Sequence, residues 1–349
     1  MQAKDLSDLH AELGREKLLP AIQENVEEVR HNAESEIQPP IVASSVLGEA
    51  EFDDLMIAER PALLGDWFKA ADTGFIYGKR GLGKSWLALA LARALTEGDN
   101  CGPWSASRVC RVLYVDGEMS ADDLRSRNHA LRKKKGELMF LSHQIVFDRT
   151  RKALCLSEPA QQAELTAFCE REKIQVLILD NIACLFRGIE ENSADDWRDQ
   201  IEHWLLDLRR RGIAVVIVAH AGRNTATMRG TSKREDAAFW ILRLDEVSGA
   251  DEHNGAKFVT RFVKNRNAPS DPVPLEWNIR PDGKCVIVTY HEADNLVLFR
   301  QWIEDGLETC SEIAEEMGLS KGQVSKLAKK AEKAGWLKKV GRKYQLLEV

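Results

Sequence analysis

Residues Gly78 to Ser85 read G-K-R-G-L-G-K-S, which completes the pattern G-x-x-x-x-G-K-S. In such a loop the glycines let backbone N–H groups converge on phosphate oxygens. Lys84 is expected to reach the terminal phosphates of a nucleotide, and the Ser85 hydroxyl to hold Mg²⁺. The pattern predicts ATP and Mg²⁺ as ligands; the alternative is a glycine turn before a core helix. The predicted nucleotide contacts are Gly78, Lys79, Arg80, Gly81, Leu82, Gly83, Lys84, Ser85 and Trp86.

A carboxylate also follows a strand-like segment further along the chain, where the apolar run Val176 to Leu179 is followed by Asp180. Beside a phosphate-binding loop, such a strand-end carboxylate is expected to bind the Mg²⁺ shell through water. The alternative is a turn-forming Asp. The next residue is Asn181, where many ATPases with this loop carry the Glu that activates water. That carboxylate must therefore come from another part of the chain.

Another strand-like run, Val112 to Val115, is followed by Asp116, Gly117 and Glu118. A carboxylate at the end of a strand beside the loop can orient an attacking water. We predict Glu118 as this residue, with Asp116 as the weaker candidate. The alternative is an acidic turn that caps the following helix.

Three further basic or polar positions are predicted to act at the site. The strand-like run Ala214 to Ala219 ends at His220, which is expected either to contact the terminal phosphate or to be a core histidine. Lys264 and Arg266 lie on one side of a predicted strand and could complete a neighbouring copy's site. The alternative for this pair is a solvated strand edge. The loop 221–235 is polar and basic, and its Arg223 and Arg229 are predicted to contact a nucleic-acid backbone.

The elements that must position these residues alternate between strands and helices. Gly74 to Tyr77 is a predicted strand before the loop, and Trp86 to Leu95 a predicted helix after it. From about residue 51 to residue 290 this alternation continues, which is typical of an α/β domain with a mainly parallel sheet. The carboxyl ends of parallel strands meet at one edge, so ligands are expected there.

This series of motifs resembles RecA-like ATPases, and more narrowly the hexameric RepA-type plasmid helicases and DnaB-type replicative helicases. The similarity includes Lys-x-Arg-Asn at Lys264 and the segment from Arg229 to Ala238. The resemblance implies a RecA-like P-loop NTPase core over residues 51–292, a ring with ATP between subunits, and single-stranded DNA in a central channel. It implies that Glu118 activates water and that Lys264 and Arg266 complete the neighbour's site. The chain departs from the family in its C-terminal module and in lacking a recognisable primase-binding domain before the core.

The C-terminal module, residues 293–349, has the pattern of a winged helix-turn-helix domain. Asp294, Ser311 and Ser320 are predicted to cap three helices, and a turn at Gly341-Arg342 to join two strands of a wing. From Lys321 to the C-terminus there are nine basic and two acidic residues. Lys321, Lys326, Lys330 and Arg342 are therefore predicted to bind DNA. The alternative is a protein-docking module with a solvated basic face.

Composition limits the other possibilities. The net charge of −6 excludes a general polycation, so contacts with nucleic acid must come from local basic patches. Residues 1–50, with four basic and ten acidic side chains, are interpreted as an acidic arm and linker. The seven cysteines form no C-x-x-C pair, which favours reduced thiols and a cytoplasmic location. No segment has the length of a membrane span.

Together these features predict an enzyme: an ATP-hydrolysing, DNA-associated motor. The resemblance implies a RepA-like replicative helicase, or a related replication ATPase of a plasmid, phage or integrated element. It also implies a homo-oligomer, expected to be a hexamer. Two other classes remain open. One is an ATP-switched regulator that binds specific DNA; the other is a loader or defence-system ATPase whose tail docks a protein.

Overall fold

The computed structural model describes residues 41–134, 136–188, 197–222, 228, 233–247, 255–268 and 272–347. The chain divides into two units between Glu59 and Arg60. In the first unit the described residues form one short helix, α1 (Glu49–Asp53), with no buried side chain. The second unit, from Arg60 onward, contains all the elements described below, including the C-terminal ones. The predicted division at residues 292 and 293 stays a prediction.

The described strands of the second unit form one large sheet and three small hairpins. In chain order they are β1 (Ala62–Leu64), β2 (Phe68–Lys69), β3 (Thr73–Gly78), β4 (Asn100–Cys101), β5 (Trp104–Ser105), β6 (Val112–Asp116), β7 (Leu138–Ser142), β8 (Val176–Asp180), β9 (Ala214–His220), β10 (Trp240–Asp245), β11 (Ala256–Asn265), β12 (Leu275–Asp282), β13 (Cys285–Glu292), β14 (Leu337–Val340) and β15 (Lys343–Leu346).

Among the described residues, nine strands form the central sheet in the order β13-β12-β11-β10-β3-β9-β8-β6-β7. The six strands from β10 to β7 are parallel, whereas β11, β12 and β13 pair antiparallel. The carboxyl ends of β3, β9, β8 and β6 therefore lie side by side at one edge of the sheet. The short pairs β1–β2, β4–β5 and β14–β15 are separate from it.

Helices α2 to α7 supply the layers on the two faces of this sheet, and α8 to α11 follow along the chain. In chain order the described helices of the second unit are α2 (Lys84–Glu97), α3 (Ala121–Leu131), α4 (His143–Thr150), α5 (Pro159–Arg171), α6 (Ile182–Leu185), α7 (His203–Arg210), α8 (Lys233–Ala237), α9 (Asn295–Glu304), α10 (Cys310–Met317) and α11 (Lys321–Lys333), with a π-helical turn at Arg198–Glu202 before α7. Side chains alternate along β3, so Ile76 belongs to the buried cluster that includes α2 and α3, while Phe75 belongs to the cluster on the other face that includes α5 and α7. The result is a three-layer α/β/α arrangement.

A tryptophan cluster fixes the position of β10 beside β3. Trp240 is fully buried and makes an edge-to-face contact with Trp67 at a centroid distance of 4.8 Å. Its ring lies over Gly74, where a Cβ atom would stand only 2.0 Å from the indole. Gly74 is therefore the residue that lets the two strands and the indole approach this closely.

The C-terminal elements α9 to α11 and β14–β15 share a third core, which includes Phe299, Ile313 and Tyr344 and also Val259 of β11. This core joins the C-terminal elements to the sheet. Arg243 of β10 pairs with Glu316 of α10 at 3.1 Å, and both side chains are largely buried. Arg261 of β11 donates to the carbonyl oxygen of Met317. The C-terminal elements are thus fastened to the sheet and not joined to it by a free linker.

The predicted strands at Gly74, Val112, Val176 and Ala214, and the helix after the loop, all occur, so the α/β fold with a mainly parallel sheet is confirmed. The predicted cap at Ser311 is wrong. α10 begins at Cys310 and Thr309 caps it, because the Thr309 hydroxyl and the Glu312 carboxylate satisfy each other's backbone N–H groups. None of the described helices is long and apolar enough to span a bilayer.

Candidate active site

The phosphate-binding loop connects β3 directly to α2. Gly81 and Gly83 have φ angles of 81° and 92°, the left-handed region that favours glycine. A Cβ atom at Gly83 would also lie 2.5 Å from the Cβ of Ala256. Gly83 is the N-cap of α2, and its residue type gives the helix no capping side chain. The first N–H groups of α2 are therefore available to an anion, and the helix dipole favours one there.

Lys84 folds back over this loop. Its ammonium donates to the carbonyl oxygens of Gly78 at 3.0 Å and Lys79 at 2.5 Å. Burial lowers its pKa to about 8, although the nearby Asp180 and Glu118 carboxylates act to raise it. A cation held in a desolvated loop in this way is suited to bind phosphate oxygens.

Asp180 ends β8 and is fully buried beside the start of α2. Its carboxylate accepts hydrogen bonds from the Tyr114 hydroxyl at 2.5 Å and from the Ser85 hydroxyl. Burial raises its pKa, and these two hydrogen bonds oppose the rise. Ser85 and Asp180 are oxygen donors of the kind that Mg²⁺ prefers. Within the described ranges no group of three or more His, Cys, Asp or Glu side chains could hold a metal ion.

Asp116 is the last residue of β6, the neighbour of β8, and Glu118 lies two residues beyond it. Asp116 stands opposite Asp180 in the strand register. Burial raises the pKa of Asp116 to about 7, and the charge of Asp180 adds to the rise. Asp116 accepts a hydrogen bond from the Met119 backbone N–H at 3.1 Å, so it shapes the turn that carries Glu118. Glu118 itself is an exposed residue, whereas Asp116 is fully buried.

Two residues at this site were missed from the sequence. Asn181 donates its side-chain amide to the Glu118 carboxylate, and Tyr114 donates to Asp180. The sequence indicated Asn181 only as the absence of a Glu, and Tyr114 only as part of a buried strand. Each contact joins residues more than sixty positions apart, so local patterns carry no signal for them.

His220 ends β9 directly beside the loop. It pairs in register with Gly78, and the N–H of Ala221 donates to the Gly78 carbonyl oxygen at 3.0 Å. Its side chain is half-buried. The structure thus places His220 next to the first glycine of the loop, while its contact with the terminal phosphate stays a prediction.

A comparison with known protein families agrees with this geometry. A family model described as an AAA domain matches residues 41–226, which is more than half of the chain. The chain belongs to this AAA-domain family. The family comprises P-loop ATPases, so nucleotide binding follows from membership. No curated protein matches the chain.

The AAA-domain match includes the loop, Glu118, Asp180 and His220 but ends before Lys264 and Arg266. These two residues lie at the end of the sheet where β3 and β10 begin, opposite the end that carries the phosphate-binding loop. β11 runs antiparallel to β10, so its last residue, Asn265, pairs with Trp240, which pairs in turn with Gly74. Along β3, Gly74 lies about 13 Å before Gly78, the first residue of the loop. The structure therefore separates both cations from their own loop.

Lys264 and Arg266 also differ from each other. The Lys264 ammonium donates to the backbone carbonyl oxygens of Glu235 and Asp236 of its own chain. Burial lowers its pKa, and the nearby charge of Arg266 adds to this. Arg266 lies just beyond the end of β11 and is exposed, and its side chain makes no hydrogen bond or ion pair with any described residue. Arg266 therefore projects from the segment after β11 and not from the strand itself, and the role of the pair at a neighbouring copy's site stays a prediction.

The residues on either side of Arg266 are fixed. The Asn265 side chain accepts from the N–H groups of Asn267 and Ala268. The Asn267 amide donates to the Trp67 carbonyl oxygen at 2.8 Å and to the Asp72 carboxylate at 2.6 Å. Asp72 is fully buried and also pairs with Arg60. This Asn265–Asp72 platform holds the backbone of Arg266 while leaving its side chain in solvent.

The predicted nucleic-acid contacts fall into two groups. Arg223 and Arg229 lie outside the described residues. The others, Lys321, Lys326 and Lys330 of α11 and Arg342 between β14 and β15, are all exposed. α11 buries Val324, Ala328 and Ala331 on its opposite face. The basic face of α11 is therefore directed to solvent and not into the core.

Proposed function

We propose that this protein is an Mg²⁺-dependent ATPase motor that assembles into a ring, expected to be a hexamer, and acts on DNA. Its motifs resemble those of RepA-type and DnaB-type helicases, which favours a role in replication of a plasmid, phage or integrated element. The observation that carries the proposal is the position of Arg266. It is exposed on a fixed platform at the edge of the sheet opposite its own phosphate-binding loop.

This position favours a site shared between two copies. A side chain tied to one edge of the sheet cannot reach phosphates bound at the other edge of the same sheet. A neighbouring copy related by rotation can present its loop to that side chain, as in head-to-tail rings. An arginine supplied in this way neutralises charge that develops on the transferred phosphoryl group.

Each residue of the site has a role in this proposal. Lys84 and the loop N–H groups bind the phosphates, and Ser85 and Asp180 would hold Mg²⁺, which when bound neutralises phosphate charge. Glu118 orients the attacking water. His220 senses the state of the terminal phosphate from its place beside Gly78. Arg266 of the adjoining copy completes the charge compensation.

The DNA-binding part of the proposal rests on the C-terminal elements. Three helices followed by a two-stranded hairpin have the order of a winged helix, and α11 would be its recognition helix. Lys326→Ala and Lys330→Ala should each weaken binding to duplex DNA of any sequence. Each should also reduce the slope of log Kd against log salt concentration by about one. Binding titrations at several salt concentrations measure this. Unchanged slopes in both variants would show that α11 does not contact phosphates.

The shared site is tested by mixing two inactive variants. Lys84→Ala should lose nucleotide binding and turnover, whereas Arg266→Ala should lose turnover and keep nucleotide binding. In a one-to-one mixture, about a quarter of the junctions pair an intact loop with an intact arginine, so turnover should return to about a quarter of wild type. Native mass spectrometry verifies that the variants mix and gives the ring size.

No recovery in verified mixed assemblies would place the complete site within one chain. A monomer under turnover conditions would also exclude the ring. Turnover with and without single-stranded and duplex DNA then distinguishes the classes of function. Stimulation by single strands in a hexamer supports the motor, and turnover indifferent to DNA supports a loader or defence-system ATPase that docks a protein partner.

A second candidate function is an ATP-switched regulator that binds a specific DNA site. It is favoured by the position of the C-terminal elements, which are fastened through Arg243 and Glu316 beside the phosphate-binding loop. A cavity of about 270 Å³ lies between the loop and α9, lined in part by Lys79, Leu82 and Trp302. The regulator predicts nucleotide-dependent affinity for one DNA sequence and no strand separation, which a fluorescence unwinding assay checks.

A further inference from the structure

The side chain of Glu118 needs a neighbouring group to restrict its conformation if it is to orient water. It lies on an exposed turn after β6, and an exposed glutamate has several rotatable bonds. A residue that orients water must hold its carboxylate in one place to contribute fully. Some neighbouring group must therefore restrict it.

Asn181 is the neighbour in contact with it. Its side-chain amide N–H donates to the Oε2 atom of Glu118. Its side-chain oxygen accepts from the Cys184 N–H at 3.2 Å, which makes Asn181 the N-cap of α6. Asn181 is itself only 2% exposed. One end of this amide is thus fixed by a helix, and the other end holds the carboxylate.

The two turns that carry these residues are also tied together. The Gly117 N–H donates to the Asp180 carbonyl oxygen at 2.7 Å. A Cβ atom at Gly117 would lie 2.9 Å from Leu185 of α6, so the turn after β6 packs tightly against that helix. The distance between the backbones of Glu118 and Asn181 is therefore set by the sheet, which leaves the side-chain contact little freedom.

Glu118 lies close to the other groups of the site. Its charge acts on both Lys84 and Asp180, which lie at the loop and at the Mg²⁺ position. In many ATPases of this class the position after the strand-end Asp supplies the carboxylate itself. In this chain that position supplies the amide that holds a carboxylate from the neighbouring strand.

We propose that Asn181 is a positioning residue for ATP hydrolysis, which holds the carboxylate of Glu118 in its water-orienting position. The inference rests on the proposed role of Glu118. It assigns a function to the residue whose identity otherwise marks only the lack of a Glu after Asp180.

Two substitutions distinguish the role of the Asn181 side-chain oxygen, which caps α6, from that of its N–H group, which binds Glu118. Asn181→Ser and Asn181→Asp each keep an oxygen that can cap α6, so the fold should be retained. Both remove the N–H donor, and the Asp variant adds a negative charge beside Glu118. We expect kcat to fall about tenfold for Ser and further for Asp, with KM for ATP within about twofold of wild type. Unchanged melting temperatures and unchanged affinity for a non-hydrolysable ATP analogue verify that fold and binding are intact.

The Glu118→Gln background distinguishes positioning from a separate structural effect. If Asn181 acts through Glu118, Asn181→Ser should change the residual turnover of Glu118→Gln by less than about twofold, measured with enzyme in excess. The inference is overturned if the Asn181 variants keep or exceed wild-type turnover, or if their effect persists in full in the Glu118→Gln background. Wild-type turnover by Glu118→Gln alone would instead remove the proposed role of Glu118, and this inference with it.

Discussion

Among the individual residues, Lys84 combines burial with a required positive charge. The ammonium is satisfied by the carbonyl oxygens of its own loop, yet burial brings its pKa to about 8. Phosphate oxygens favour the charged form, so bound nucleotide raises this pKa again. Nucleotide binding and protonation of Lys84 are therefore linked.

This linkage predicts the pH dependence of nucleotide affinity. Below about pH 8 the free protein already carries the charged lysine, whereas above it binding requires uptake of a proton. The dissociation constant of a non-hydrolysable ATP analogue should therefore rise as pH increases above 8, by up to about tenfold per unit. Titration calorimetry between pH 7 and 9.5 measures this rise.

Lys84→Arg is the matched control, because a guanidinium stays charged throughout this range. Its affinity for the analogue should be independent of pH even if it is weaker overall. The same slope in Lys84→Arg and wild type would assign the pH dependence to another group.

At the scale of elements, the end of β11 and the segment after it place Arg266. Two asparagines hold this segment, one through a turn and one through buried Asp72. Burial raises the pKa of Asp72, and its hydrogen bonds from Lys69, Arg60 and Asn267 oppose that rise. The platform is thus a satisfied buried polar network, an arrangement that makes the local backbone rigid.

Asn267→Ala should release this segment. The variant loses the hydrogen bonds to Asp72 and to the Trp67 carbonyl oxygen, so Arg266 is no longer held in one place. Turnover should fall at least tenfold, while affinity for an ATP analogue stays unchanged because the loop lies at the other edge of the sheet. Asn278→Ala, at an exposed position of the same sheet, is the control. Equal turnover in the two variants would show that the platform does not position Arg266.

On the scale of the whole molecule, the C-terminal elements and the sheet share buried charges. Arg243 pairs with both Asp245 and Glu316, and Arg261 pairs with Asp245 and donates to Met317. These groups lie at the loop edge of the sheet, where Lys79 also pairs with Glu246. The loop and the C-terminal elements therefore meet at the same end of the sheet.

Glu316→Ala should weaken this junction without disrupting the central sheet. Arg243 would keep Asp245 but lose one partner, which costs about 1–3 kcal/mol for a buried group. Hydrogen exchange should become faster in α9 to α11 and stay slow in β3 and α2. Glu315→Ala is the matched control, since Glu315 is the exposed neighbour on the same helix. Equal exchange in both variants would mean that Glu316 does not fasten the C-terminal elements.

The sequence by itself determined the parts of this protein that depend on neighbouring residues. The loop from Gly78 to Ser85, the strand ending in Asp180 and the exposed basic face of α11 follow from local spacing, because residue types and periodicity reflect local geometry. The positions of Glu118 and His220 at the same sheet edge also follow, since parallel strands align their carboxyl ends.

Only the tertiary structure decided which distant side chains meet. The hydrogen bond between Asn181 and Glu118, the platform of Asp72 and Asn267, and the junction of Arg243 with Glu316 depend on strand order and register. No short window of sequence encodes which strands become neighbours. The same register tied Lys264 to its own chain while leaving Arg266 in solvent, a difference that two cations of similar spacing could not reveal.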